Sequence, residues 1–516
     1  MKVLKNLALG LALLSSSYSY SKVIQIIHTN DLHSYFMGTR GGIGGYAQLK
    51  VMIDKLRADA TSKGIPTLHL DAGDFGEGSS FYFSNQGVDS LRALDLLGVD
   101  VTVLGNHDFI LGGSELKNQL IESKLKASLL SANLKGKTFM GLKKRVPAYV
   151  DYNVDDLKVR IFGLTTNEIH YMYPLRPLGY ISNPLKAGLK QAKKAQEDGA
   201  DFTIALTHIG LDKDIELVQK SSGIDLVVGG HSHTRLPRPE LTKNKSGRLI
   251  PILQAGAHSG YVGSMIVDIQ GHGEAQMIDY KLYDIFPDMP QDEQMKKFVT
   301  KAYETREKYF GRSWKEIIGS TEIPLSGNVN GQGTETASCW AEHIARVTRK
   351  VAKAQLGLQF EVFQGEQIPP GPVTFGDMVD NFPHFRNWGD KGWKISRAWI
   401  SGFLLKTVLD KMASSALALQ VTIDGIQAQR TDGRGVTRYN PRYHKPSEAM
   451  IGGQPLSSLR YYSVGLPSEV TYGSLKLLNV FGLVLFHDLR NVKNSNYWPV
   501  LENYIKENSP LKCLED

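Results

Sequence analysis

The stretch Val23-Ile24-Gln25-Ile26-Ile27-His28-Thr29-Asn30-Asp31-Leu32-His33 decides the fold. Its first five residues form a short, mostly aliphatic run, and β-branched residues of this kind read as a strand buried on both faces. The run breaks abruptly into polar residues, which sets an acid and an imidazole directly after the strand's carboxyl end. The same pattern continues downstream. Strands at 67–70, 101–104, 159–164, 203–206 and 226–228, followed by 250–253 and 264–269, alternate with helical stretches at 45–60, 90–97, 112–125, 184–198 and 211–220. Strands that alternate with helices predict an α/β domain around a largely buried sheet.

The strand ends carry the chemistry. Asp31 and His33 follow the first strand, and Asp74 follows the second, after Gly73, which permits a tight turn. Asn106-His107-Asp108 follows 101–104 after Gly105, His208 ends 203–206, and Gly229-Gly230-His231-Ser232-His233 ends 226–228. Open α/β sheets bind ligands at these carboxyl ends. On an extended backbone, pairs one residue apart, such as Asp31/His33 and His231/His233, point the same way and share a cavity. A single Asp or His after a strand is ordinarily a turn former or cap. Asp71, His28 and His258 are read that way, Asp71 as part of the loop that positions Asp74. Five strand ends bearing Asp, His or Asn, in a chain with only 14 His, are not explained by turn chemistry. Carboxylate, imidazole and amide donors suit Mn²⁺, Zn²⁺, Fe²⁺ or Co²⁺. The seven residues Asp31, His33, Asp74, Asn106, His208, His231 and His233 are too many for one tetrahedral ion. They suit two ions a few Å apart with one carboxylate bridging.

The segments Thr29-Asn30-Asp31-Leu32-His33, Ala72-Gly73-Asp74, Leu104-Gly105-Asn106-His107-Asp108-Phe109, Thr207-His208 and Gly230-His231-Ser232-His233 resemble those of the calcineurin-like metallophosphoesterases. More narrowly, the chain resembles the bacterial 5′-nucleotidase/UDP-sugar hydrolase family, in order and spacing over residues 23–285. The resemblance implies one metal held by Asp31, His33 and His233 and the other by Asn106, His208 and His231, with Asp74 bridging. It implies a hydroxide between the ions that attacks phosphorus in line, and His107 beside the leaving oxygen, where it stabilises or protonates it. It also implies an α/β fold, a four-layered α/β/β/α sandwich followed by a smaller α+β substrate domain.

Two departures separate the chain from that family. The family's acid that orients the catalytic His falls at Ile110, which leaves Asp108 or a backbone carbonyl to take its place. The family's phosphate-binding Arg stretch is replaced by Phe363-Gln364-Gly365-Glu366-Gln367, ahead of Gly371-Pro372-Val373-Thr374, and Glu366 repels a phosphate. Phe382 and Phe385, in Asn381-Phe382-Pro383-His384-Phe385, together with Tyr472, are the candidates for stacking on a planar substrate, and Trp388 has the same capacity. The substrate class implied is a nucleotide, nucleotide sugar or other organic phosphate. Thiosulfohydrolases share the fold but alter the Asn-His pair, whereas Asn106-His107 is intact. A binding protein built on a vestigial site is the third reading, and the complete ligand set argues against it.

The remaining features bound the setting. Lys2 and Lys5, the apolar run 7–14 and Ser19-Tyr20-Ser21 read as a signal peptide over residues 1–21, so the mature chain is expected to be periplasmic or secreted. That apolar run is too short to span a bilayer, and the apolar stretch 478–486 has the size of a core strand. The net charge of +8 is spread along the chain in short blocks such as Lys143-Lys144-Arg145. No aromatic-interleaved basic stripe accompanies it, so a solvated surface is expected rather than a nucleic-acid footprint. Cys339 and Cys513 allow one disulfide or two thiols. The expected organisation is a catalytic domain at 22–288, a linker helix at 289–313 and a substrate-binding domain at 314–516. The second half is expected to carry helices at 336–353 and 401–415 and strands at 419–427 and 461–465.

Overall fold

The computed structural model describes residues 22–136, 142, 145–154, 156–168, 179–271, 274–325, 339–360, 364–385, 387–413, 421–429, 436–438, 445–468 and 487–513. The signal-peptide reading at 1–21, the strand reading at 478–486 and Tyr472 lie outside these residues.

Two six-stranded sheets organise the first half. In one, Lys22–Thr29, Thr67–Asp71, Val101–Val103 and Ser128–Leu130 run parallel in that order; Tyr261–Gly271 pairs antiparallel with Lys22–Thr29, and Glu274–Asp284 pairs antiparallel with Tyr261–Gly271 at the edge. In the other, Leu157–Thr165, Phe202–His208, Leu226–Gly229 and Leu249–Leu253 run parallel, edged by antiparallel Tyr149–Val154 and Glu240–Lys243. One face of each sheet packs against the other: Ile24, Ile26, Leu70 and Val103 meet Ile161, Ile204, Leu206 and Val228 in a single apolar cluster. The outer face of the first sheet is covered by helices Tyr46–Thr61, Val88–Leu97 and Gly113–Ser123, through Ile53, Leu91, Leu94 and Leu116. The second is covered by Pro184–Glu197 and Leu211–Lys220, through Ala192, Leu217 and Val218. The result is a layered α/β/β/α sandwich. Its parallel strands are covered on both sides, which is why they read as continuous aliphatic runs.

A helix at Glu293–Phe310 follows. Asp292 caps it by accepting from the Met295 N–H at 2.7 Å, and Gly311, in the left-handed region at φ 67°, closes it. Its Met295 and Ala302 pack into the first core, while Tyr309 and Phe310 reach a second, aromatic one.

Beyond it lies a five-stranded sheet ordered Val421–Asp424, Leu356–Phe360, Tyr461–Pro467, Lys394–Ser401 and His487–Asn496, packed by helix Cys339–Ala352. The helix expected at 401–415 forms at Gly402–Ala413. The single strand expected at 419–427 divides: Gly425, at φ 92°, turns the chain so that Ile426–Gln429 joins a separate four-stranded sheet. The cysteine ambiguity resolves as a Cys339–Cys513 disulfide. It ties the C-terminal segment to the start of its helix, and His343 reinforces the tie by bonding Tyr504 Oη and the Lys512 carbonyl, both at 2.7 Å. Among the described residues, no helix is long and apolar enough to cross a membrane.

Candidate metal centre

All seven predicted ligand residues converge at the carboxyl ends of the parallel strands of the two sheets. His208 Nε2 lies 2.9 Å from Asp74 Oδ2, 3.2 Å from Asn106 Oδ1 and 3.9 Å from Asp31 Oδ1. His33 Nε2 lies 3.1 Å from His233 Nε2 and 3.7 Å from Asp74 Oδ2, and His233 Nε2 lies 3.3 Å from Asp31 Oδ1. Donor atoms of Asp74, His208 and His231 form one group with metal-binding spacing, all within 4.8 Å of one another. His231 also meets Glu168 Oε1 at 3.2 Å, and Lys213 reaches the same oxygen at 3.3 Å.

The convergence does not arise from extended backbone as the sequence suggested. Asp31, His33, Asp74, His231 and His233 take φ between 48° and 81°, the left-handed region. Non-glycine residues there are strained, and the strain persists only where the surroundings over-determine it. The over-determining bonds are backbone ones: Asp31 N–H to the Gly73 carbonyl, His33 N–H to the Asp74 carbonyl and His258 N–H to the Asp31 carbonyl, each 2.8 Å. The loops after the neighbouring strands Thr67–Asp71 and Val101–Val103 approach so closely that a Cβ at Gly105 would come within 2.0 Å of Asp74 Oδ1. Asp71 sits beneath the Asp74 loop, accepting from the Thr29 and Thr102 hydroxyls and the Gly73 N–H at 2.8–3.1 Å.

The donor set fits divalent cations. His33 Nδ1 donates to the Glu77 carbonyl at 2.6 Å and His208 Nδ1 to the Ala72 carbonyl at 2.7 Å. A carbonyl only accepts, so each ring is protonated at Nδ1 and turns Nε2 into the centre as the ligand atom. Burial pushes His33 down to about 4, so its Nε2 carries a lone pair facing the His233 ring. Burial opposes the charge on His208, yet Asp74 and Asp31 outweigh it and raise that group to about 10. Burial likewise opposes ionisation of Asp74, while His208 and His107 hold its carboxyl well below the usual range. Carboxylates and ring nitrogens packed this closely suit cations held among them.

His107 lies at the rim, its side chain 21% exposed, with its backbone N–H on Asp74 Oδ1 at 2.8 Å. Asp108 does not orient it. The Asp108 carboxylate is buried and accepts the N–H groups of Asp74, Gly76 and Gly105 at 2.7–3.1 Å, so it braces the loops and is corrected from a catalytic to a bracing residue. The group that does meet His107 Nδ1 is Glu77, whose other oxygen is 3.2 Å from His384 Nδ1. Sequence reasoning passed over Glu77; its only signal is an acid held between two glycines, Gly76 and Gly78, in the loop after Asp74. His258, read as a turn residue, stands with donor atoms within 4.8 Å of His33 and His233.

Two of the predicted stacking residues are buried in the aromatic core. Phe382 and Phe385 are 0% and 3% exposed. Phe382 packs on Tyr497 and Trp393, and Phe385 packs on Phe83 at 4.4 Å and Trp388 at 5.1 Å. Their ring faces serve the aromatic core and offer no surface to a substrate. Trp388 is tied by its indole N–H to Glu115 Oε1 at 2.8 Å. Glu366 is buried, accepts the Arg40 N–H at 2.9 Å, and is pushed up to about 8 by burial and by Asp380. A neutral, braced Glu366 does not present the repelling charge inferred from sequence.

Residues 24–235 match the family described as Calcineurin-like phosphoesterase. Snake venom 5′-nucleotidase of Gloydius brevicauda is 28% identical over 328 residues, covering 59% of this chain and 54% of that protein. The chain spans less than two thirds of the length of the curated relatives it matches. Among solved structures, a 5′-nucleotidase precursor from Thermus thermophilus superposes with a TM-score of 0.78 at 20% identity, over 96% of this chain and 98% of that one. A Thermus thermophilus sulfate thiohydrolase, SoxB, superposes with a TM-score of 0.71 at 17% identity, over 96% and 95%. At these identities both structures share the fold, and the fold alone.

Proposed function

We propose that this chain, whose residues 24–235 belong to the calcineurin-like phosphoesterase family, is an exported two-metal hydrolase of phosphoesters, a 5′-nucleotidase-like phosphatase acting on nucleotides or related organic phosphates. The observation that carries the reading is the convergence of the His33, His208 and His233 Nε2 atoms on the Asp31 and Asp74 carboxylates. In this reading Asp31, His33 and His233 hold one ion, and Asn106, His208 and His231 the other, with Asp74 common to both. Two bound divalent ions lower the pKa of water and neutralise charge that develops on a transferring phosphoryl group.

The protein's own groups supply the rest. Burial lowers the basicity of His107, but Asp74 and Glu77 outweigh it and raise the group to about 9. A ring protonated at neutral pH can give its proton to the leaving oxygen. The buried Phe382 and Phe385 supply no stacking surface, and no Arg occupies 364–367, so the substrate class is as wide as organic phosphates. The intact Asn106-His107 pair favours this reading over thiosulfohydrolysis, and the 1–21 segment and the Cys339–Cys513 disulfide favour export.

The test is a screen of nucleoside monophosphates, cyclic nucleotides, nucleotide sugars and simple phosphoesters, with Mn²⁺, Zn²⁺, Co²⁺ and Fe²⁺ supplied in turn. Hydrolysis lost on chelation and restored by metal is expected. A fully metal-loaded protein that cleaves none of these esters overturns the reading. N-terminal sequencing of the protein from its native compartment is expected to begin near Lys22.

A further inference from the structure

We propose that Glu77, backed by His384, is the residue that positions His107 for leaving-group protonation, an inference that rests on the phosphoesterase reading above. Glu77 is almost wholly buried, and its two oxygens are divided between two imidazoles: one meets His107 Nδ1 and the other His384 Nδ1, the latter at 3.2 Å. A buried carboxylate bonded on both oxygens is held in one orientation, and charge-assisted bonds of this kind are the strong ones. The other candidates fail on geometry. Asp108 has its oxygens on three backbone N–H groups, and Ile110 has no side-chain acceptor.

Both supports of Glu77 are rigid. Its carbonyl accepts from His33 Nδ1 at 2.6 Å, the preceding Gly76 carbonyl takes the Ser34 hydroxyl at 2.6 Å, and the Ser80 N–H bonds Asp380 Oδ1 at 3.0 Å. His384 stacks on Trp393 at 4.6 Å with planes 19° apart and meets Phe382 edge-on at 5.4 Å. Through His384 the C-terminal half reaches Glu77 itself. With Nδ1 bonded to Glu77, the ring plane is set and Nε2 is the nitrogen that serves the leaving oxygen. Its proton passes to that oxygen as the P–O bond breaks and is regained from water. Glu77 and His384 are positioning residues; neither touches the phosphoester.

The test compares an alkyl phosphomonoester, whose leaving oxygen needs a proton, with p-nitrophenyl phosphate, whose leaving group does not, using the full metal-loaded chain. Glu77→Gln, close in shape, is expected to retain metal and to lower kcat on the alkyl ester by about 10²-fold, the lower end of the acid–base range. The loss on p-nitrophenyl phosphate is expected to be smaller by roughly tenfold or more, and His384→Asn is expected to show the same selectivity at about a tenfold loss. Equal losses on both esters, or loss of metal, overturn the proposal. A second readout needs no turnover. In isotope-labelled histidine spectra, the His107 Nδ1 proton is expected far downfield, absent in His107→Ala and moved upfield in Glu77→Gln. Absence of that resonance from the unmodified protein overturns the positioning role even if esters are cleaved. Failure to cleave any phosphoester instead overturns the phosphoesterase reading, while the resonance still decides the role of Glu77 as the His107 partner.

Discussion

The loops of the first half and the segment 364–393 of the second meet at Glu77, yet they were shaped by different demands. In the loops, Asp31, His33, Asp74, His208, His231 and His233 hold left-handed or tightly braced backbone to aim polar atoms inward. In 364–393, Phe382, Phe385 and Trp393 are packed for burial, while His384 is turned toward Glu77. Residue type at the first region is what a cation-binding cluster requires, so it is visible as a sequence pattern. At the second, an aromatic ring serves core and pocket equally well, and its identity says little about which.

The sharpest way to break this comparison is Asp74→Ala. Its carboxylate faces His33 and His208 from between the two groups of donors. The variant is expected to lose bound metal and, with it, several kcal/mol of charge stabilisation, a fall of about 10³-fold or more in turnover. Metal analysis alongside kinetics checks it; full occupancy in the variant contradicts the bridging assignment. His107→Ala is next. Its side chain lies at the rim, so metal content should stand while turnover falls by about 10²–10⁴-fold. An unchanged rate removes His107 from the mechanism.

These expectations mark how much was legible. The strand positions and the convergence of the strand-end Asp and His residues could be read because aliphatic runs and strand-end Asp and His leave periodic, chemically specific traces. Glu77 could not, because its role depends on a loop closing onto His107, 30 residues later, and on His384, 307 residues away. Asp108 was misjudged for a related reason: adjacency to His107 in sequence does not tell which way a carboxylate turns, and three backbone N–H groups turned it away. Gly425 likewise divided a run of β-formers that looked like one strand.

On the other side of the comparison, Phe385→Ala tests burial against binding. Truncating a core Phe costs about 3–5 kcal/mol, so a large fall in melting temperature is expected, with little change in KM for planar against non-planar esters. A stacking role predicts the reverse, a KM effect confined to planar substrates with stability retained.

The smallest effect is expected at the element that joins the two regions. Helix Glu293–Phe310 enters the first core through Met295 and the aromatic core through Phe310, and its start is fixed by the Asp292 side chain on the Met295 N–H at 2.7 Å. Removing an N-cap of this kind costs about 1 kcal/mol. Asp292→Ala should therefore lower the denaturation midpoint slightly, because one N–H is left to water and the first turn frays. The rest of the helix stays held by its packing, and Arg306 continues to donate to the Ser80 hydroxyl at 2.7 Å beside the Glu77 loop. Turnover is accordingly expected to match that of the unmodified chain. If Asp292→Ala instead depressed kcat selectively on alkyl esters, the joining helix would be setting the Glu77 loop, and the division between a chemically dictated region and a packing-dictated one would no longer hold.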